Sequence, residues 1–219
     1  MIQSPPAALK ARLSAMMFFQ YAIWGAWLPF LWSFLSERHG FTTAEIGHMF
    51  AAGAVGAIVG PFFAGQIADR FLATEKYLAI SHFLGALLIW QLASVDGYWN
   101  FLWFSLAYGL VYAPTLALTN SLAFHHLPDR DSDFGRVRLW GTLGWIAVGI
   151  AMGQWLAAVH SPAELLGDAL HAAQVAGKAD AFKLSALLGA IMGVYCLTLP
   201  HTPPARTSVR SNATLKALG

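Results

Sequence analysis

The chain has 219 residues, of which 57% are hydrophobic and 11% charged, with a formal net charge of +2 and a mean hydropathy of +0.54. A soluble domain carries about a quarter of its residues as charges, so this composition excludes a water-soluble globule, and the near-neutral balance gives nucleic-acid binding no support. One cysteine, Cys196, excludes an intrachain disulfide and a multi-cysteine metal site.

Apolar runs of about 20 residues recur, the length that crosses a hydrocarbon layer about 30 Å thick. In lipid the backbone must satisfy its own hydrogen bonds, so the expected class is all-α integral membrane, a six-transmembrane-helix bundle. The spans fall at about 13–36, 44–68, 76–95, 99–123, 137–159 and 181–200, within residues 1–200, with a polar tail over 201–219. The first run continues too far, and lacks a small-residue cleavage pattern, to be a removed signal peptide. With the N-terminus inside, Lys10, Arg12, Arg70, Lys76, Arg130, Arg136, Arg138, Arg206, Arg210 and Lys216 collect on one side. Only Arg38, Lys178 and Lys183 fall on the other, so the positive-inside rule places both termini in the cytoplasm. An Asn-Ala-Thr triplet at Asn212 is then on the wrong side for glycosylation.

The first span carries Gln20, Trp24 and Trp27 at i, i+4 and i+7, one helical face. Single tryptophans usually pack between helices, but a buried amide such as Gln20 needs a partner in lipid. Pro29 loosens the far end of this span. Thr42 and Glu45 have capping-box spacing, which makes Glu45 a cap rather than a proton carrier. The second span follows, with Gly56 and Gly60 at the G-x-x-x-G spacing that permits close helix contact. His48 near its start is expected to be hydrogen-bonded.

The second span leaves through GQIADRF, residues Gly65 to Phe71. The third contains His82. The fourth places Tyr108, Tyr112, Thr115 and Thr119 at i, i+4, i+7 and i+11, a polar stripe over three turns. Such hydroxyls often glue transmembrane helices together, yet the unbroken length favours a cavity wall. Pro114 within it frees a backbone carbonyl that neighbouring hydroxyls are expected to satisfy. Asp129, Asp131 and Asp133 alternate in the next loop, but the glycine and glutamate of a calcium loop are missing from their offsets. Ser132 or Asp133 is expected to cap the fifth helix. His125 and His126 lack metal-site spacing, so no metal and no cofactor are assigned.

The fifth span opens with FGRVRLWGTLGW, Phe134 to Trp145. Arg138, Thr142 and Trp145 share one helical face: a cation, a hydroxyl and an aromatic that together suit a polar, ring-shaped solute. Snorkelling and packing are the structural alternatives. The helix continues through Gly149 and Gly153, and Gly149 is expected to continue this face with open space. The loop over 160–180 is Ala-rich and mildly amphipathic around 163–176, fit to lie on the membrane surface.

Gly65, Asp69 and Arg70 resemble the G-x-x-x-D-R core of the loop between helices 2 and 3 in the major facilitator superfamily, a motif tied there to conformational change. Four further segments, WGAWL (Trp24–Leu28), PTLALTN (Pro114–Asn120), RLWGTLGW (Arg138–Trp145) and LTLPHTPP (Leu197–Pro204), resemble the N-terminal half of the nucleoside:proton symporter family of that superfamily. The resemblance implies one half of a twelve-helix carrier of nucleosides and protons, working by alternating access in a bacterial inner membrane. It implies a second six-helix bundle as partner, whether the chain is a fragment or a genuine half, and it implies that Arg138, Thr142 and Trp145 line the nucleoside site. With them, Gln20, Trp24, Trp27, Tyr108, Tyr112, Thr115 and Asn120 form the expected half of the pathway.

The fifth span is also similar to that of lactose permease-type sugar:proton symporters, where an arginine binds sugar and a tryptophan stacks on it. That site pairs its arginine with a carboxylate at the end of the fourth span. Asn120 stands at the matching position here, which favours a nucleoside. A non-transporting six-helix remnant or interaction module is the remaining alternative. An enzyme is not expected, because no catalytic constellation or phosphate loop appears.

Overall fold

A computed structural model describes residues 7–70 and 72–204. It is all-helical among the described residues. Helix α1 (Ala7–Ser33) runs on into a π-helical turn (Phe34–Arg38), followed by α2 (Thr43–Arg70), α3 (Thr74–Leu92), α4 (Tyr98–His126), α5 (Arg130–Val159), α6 (Gly167–Gly177) and α7 (Ala179–Cys196). Each of the six long helices overlaps one of the six expected spans, and α6 lies in the amphipathic loop. The stretches 43–62, 98–126, 132–159 and 167–196 are long and apolar enough to cross a membrane. Helix α1 is packed between α5 and α7.

Local signals set the helix starts. The Thr42 N–H and Glu45 Oε2 lie 2.8 Å apart, and the Glu45 N–H returns to Thr42 Oγ1 at 3.3 Å, the reciprocal capping box. His48 Nδ1 meets the Tyr98 hydroxyl at 2.7 Å. The start of α5 differs from expectation. Asp129, not Ser132 or Asp133, is the cap: its carboxylate accepts from the Ser132 N–H at 3.2 Å, and the helix begins at Arg130 rather than at 137. Asp133 is drawn instead into an ion pair with Lys10 at 2.7 Å, buried to 4% exposure, which joins the first turns of α5 and α1.

Packing pairs α1 with α5, α2 with α4 and α3 with α7, while α1 also meets α7 and α3 meets α4. Small residues make the first two pairs possible. A Cβ added at Gly25 would stand 2.5 Å from the Trp145 carbonyl oxygen and 2.7 Å from its Cα, so α1 and α5 touch through backbone. Gly56 faces the Gly109 backbone in the same way, and Gly60 receives the Pro114 ring, so the G-x-x-x-G face is used against α4. Gly149 does not face open space: its nearest neighbour is the Gly25 carbonyl, at 3.4 Å from an added Cβ, whereas Gly153 has nothing within 4 Å. The hydroxyls around Pro114 bond the carbonyls of Tyr112 and Thr115 rather than the one that the proline frees at Leu110.

Residues 200–204 are docked rather than trailing. The Thr202 carbonyl accepts from the Thr74 N–H at 3.0 Å, and its own N–H donates to Glu75 Oε2 at 3.0 Å. His201 Nδ1 donates to Glu75 Oε1 at 2.7 Å, and His126 Nε2 meets the Thr202 hydroxyl at 2.8 Å. Burial works against the Glu75 charge, but the Thr202 N–H and His201 outweigh it and hold the carboxyl below its usual range. A depressed folded pKa means that this clasp is complete above the ordinary carboxylate value of about 4.3 and is lost as pH falls through the lower folded value. Glu75→Ala is expected to raise amide exchange at Thr202 at least about tenfold, the loss of a charge-assisted hydrogen bond. Exchange in α1 and α5 should stay unchanged, which mass-resolved hydrogen exchange checks.

Candidate functional site

The stripes predicted on the first and fourth spans face one another, because α1 and α4 cross with few direct contacts and leave room between them. Gln20, fully buried, donates through Nε2 to Thr115 Oγ1 at 2.8 Å, and that hydroxyl donates onward to the Tyr112 carbonyl at 2.6 Å. The Tyr112 hydroxyl closes the ring by donating to the Gln20 main-chain carbonyl. This arrangement fixes the amide orientation, since the single Thr115 proton is already committed to Tyr112. It leaves Gln20 Oε1 as a buried acceptor with no side chain or backbone on it, and Asn120 Oδ1, one turn further along α4, is in the same condition.

Aromatic side chains lie beside this polar layer. Tyr108 and Tyr112 stack at 5.2 Å with planes 10° apart. Trp24 sits 6.4 Å from Tyr112 and meets Trp145 edge-on at 5.6 Å, joining α1, α4 and α5. Trp27 turns away toward α7, packing on Phe182 at 5.6 Å and on Tyr108 at 5.7 Å. Trp24, Trp27, Tyr108 and Tyr112 wall an apolar cavity of about 290 Å³, closed on its other side by Met49, Phe50 and Gly53 of α2. The apolar walls from α2, and Ser105 of α4, had no signal in the sequence beyond the glycines that admit them.

Along the α1–α5 contact, Arg138 is half-buried with its guanidinium 3.9 Å from the centre of the Tyr21 ring. Among the described residues no carboxylate pairs with it. A guanidinium stacked on an aromatic face keeps its N–H edge free for carbonyl or hydroxyl oxygens. Thr142 lies one turn on, exposed, and Trp145 one turn beyond, half-buried against Trp24. Tyr21 is the residue that sequence reasoning passed over. Its position three residues before Trp24, on the helix with the tryptophan pair, was the available signal.

The predicted residues therefore separate into two groups. Arg138, Thr142, Trp145 and Trp24 form one row, with Arg138 and Thr142 unspent in hydrogen-bonding terms. Gln20, Thr115, Tyr108, Tyr112 and Trp27 form a second, packed group, in which Gln20 Oε1, Tyr108 Oη and Trp27 Nε1 are buried without a hydrogen-bond partner. The row offers a cation, a hydroxyl and indole surface to a flat polar molecule, and Trp24 is the member of it that also lines the cavity. The backbone of Gly65, Asp69 and Arg70 belongs to the end of α2, and their side chains lie outside the described residues.

Comparison with known proteins identifies the family and the fold. The family model for the nucleoside H+ symporters matches residues 7–219. The putative nucleoside transporter YegT of Escherichia coli is 42% identical over 197 residues, 90% of this chain and 44% of its own length. The nucleoside permease NupG and the xanthosine permease of the same organism are 30% and 32% identical, over 94% and 95% of this chain. Crystal structures of NupG and of a point mutant superimpose with TM-scores of 0.74 and 0.77 at 28% identity, covering 94% of this chain and 48% of theirs. The chain spans about half the length of the curated relatives it matches.

Proposed function

The chain belongs to the nucleoside H+ symporter family, and from that premise we propose that it forms the N-terminal six-helix half of a carrier that moves nucleosides together with protons. The single observation that carries this reading is the Arg138–Thr142–Trp145 row, set against Trp24 and Tyr21 with its polar groups free. In this reading the indoles of Trp145 and Trp24 stack on the base, and Arg138 and Thr142 bond oxygens of the base or ribose. Asn120 in place of a carboxylate supports a nucleoside over a galactoside, since it leaves Arg138 uncompensated for substrate. Residues 1–200 act as one bundle, and the tail over 201–219 starts from the clasp of His201 and Thr202 on Glu75. A second six-helix bundle supplies the opposite wall and the acidic coupling group, and alternating access is the rocking of the two bundles about the substrate. The ten-to-three distribution of Lys and Arg supports an inner-membrane orientation with both chain ends in the cytoplasm.

Labelled uridine uptake tests the reading in cells deprived of their own nucleoside uptake. Cells making this chain together with the C-terminal half of NupG should accumulate uridine, and collapse of the proton gradient should stop them. Cells making either half alone should not. Absence of uptake with both halves present in the membrane would reject the half-carrier.

A further inference from the structure

A second site lies further along α5 than that row, where α5 and α7 meet α6. These two helices barely touch one another and leave between them a groove of about 420 Å³. Ala151, Met152 and Trp155 of α5 form one bank, and Asp180, Lys183 and Leu184 of α7 the other. The charged residues sit at the helix ends, while below them the same face of α7 continues through Leu187 and Ile191, 56% and 42% exposed. Charge at the boundary and apolar surface along the helix axis is the profile of an amphiphile aligned with the bundle. Trp155, half-exposed at the rim, stands where membrane proteins place interfacial indoles.

The hydrogen-bond capacity of the charged pair narrows the occupant. Asp180 Oδ2 already accepts from His160 Nε2 at 2.8 Å and from Trp155 Nε1 at 3.2 Å, which uses both its lone pairs. Asp180 Oδ1 accepts from Lys183 Nζ at 3.0 Å and has one lone pair left. Lys183, its side chain 48% exposed, has spent one of three N–H groups on that contact and keeps two. The rim thus offers spare cationic donors beside one spare anionic acceptor, the acceptor held in place by His160 and Trp155.

We propose that this groove binds an aminophospholipid, with the phosphate on Lys183, the headgroup ammonium on Asp180 Oδ1 and an acyl chain along Ala151, Leu184 and Leu187. The site depends on the membrane setting of the family and not on the substrate assignment. It is a lipid site on the outer flank of the bundle, reached from the bilayer.

Native mass spectrometry of the 219-residue chain in detergent, titrated with dioleoyl phosphatidylethanolamine, dioleoyl phosphatidylglycerol or inorganic phosphate, tests it. The wild type should retain phosphatidylethanolamine about tenfold better than phosphatidylglycerol, as one charge-assisted contact predicts. Lys183→Ala should weaken both lipids about tenfold, and Asp180→Asn should abolish the preference between them. Ala151→Trp, which fills the groove and leaves both charges intact, should lose both lipids. Each variant is compared at equal helical content by circular dichroism. Retention unchanged by Lys183→Ala and Ala151→Trp would overturn the proposal. So would equal retention of the two lipids by the wild type, or inorganic phosphate displacing the lipid at equal concentration.

Discussion

Gly25→Ala is expected to lower the thermal midpoint of the detergent-solubilised chain by roughly 2–12 °C and to abolish uridine uptake by the paired halves. The added carbon would stand 2.5 Å from the Trp145 carbonyl oxygen and 2.7 Å from its Cα, and neither helix backbone can yield locally. Overpacking of this kind costs about 1–3 kcal/mol, and each kcal/mol moves the midpoint of a chain this size by about 2–4 °C. The functional loss follows from the same displacement. Separating α1 from α5 pulls Trp24 from Trp145, now 5.6 Å apart, and Tyr21 from the Arg138 guanidinium, now 3.9 Å away. Gly153→Ala on the same helix is the control, since its added carbon meets nothing within 4 Å. Differential scanning fluorimetry on both variants decides the matter: a Gly25→Ala midpoint equal to that of Gly153→Ala would show that the helices do not depend on backbone contact there.

The second large effect is expected at Arg138. Arg138→Ala should reduce uridine uptake by the paired halves about ten- to a hundredfold, the equivalent of about 1.5–3 kcal/mol for hydrogen bonds to a charged donor. Arg138→Lys should recover only a small part, because an ammonium keeps the charge but cannot lie flat on Tyr21 and present a planar edge. Tyr21 acts through the arginine. Tyr21→Ala should raise the apparent KM by about three- to tenfold by removing the platform, and Tyr21→Phe, which keeps the ring, should not. A merely structural tyrosine would lower the amount of folded protein in both variants instead. Uptake by Arg138→Ala at wild-type KM would remove the arginine from the site.

The fold class was legible because lipid imposes one solution. A chain with 57% apolar and 11% charged residues, whose apolar runs are about 20 residues long, has the run length of spanning helices and not of barrel strands. Local chemistry was legible where it acts within a few residues, as in the Thr42–Glu45 capping box, and it failed where a distant partner intervened. Asp133 looks like a cap in sequence, but Lys10, 123 residues away, claims it, and Asp129 takes the cap. Helical periodicity likewise placed Arg138, Thr142 and Trp145 on one face, since that depends only on 3.6 residues per turn.

Helix pairing was not legible. That α1 lies on α5, and α2 on α4, is decided by backbone approaches at Gly25 and Gly56, and a glycine does not name its partner. Those pairings divide the predicted residues into a row beside α5 and a buried, packed group between α1 and α4. Gln20, Trp24 and Trp27 share a stripe in sequence, yet Gln20 is spent on Thr115, Trp24 is turned to Trp145 and Trp27 to Phe182. Sequence by itself determined which residues could reach the interior, through length, apolarity and turn geometry. Only the tertiary structure decided which of them keep unspent hydrogen-bonding capacity there, because that depends on partners brought together across more than 90 residues.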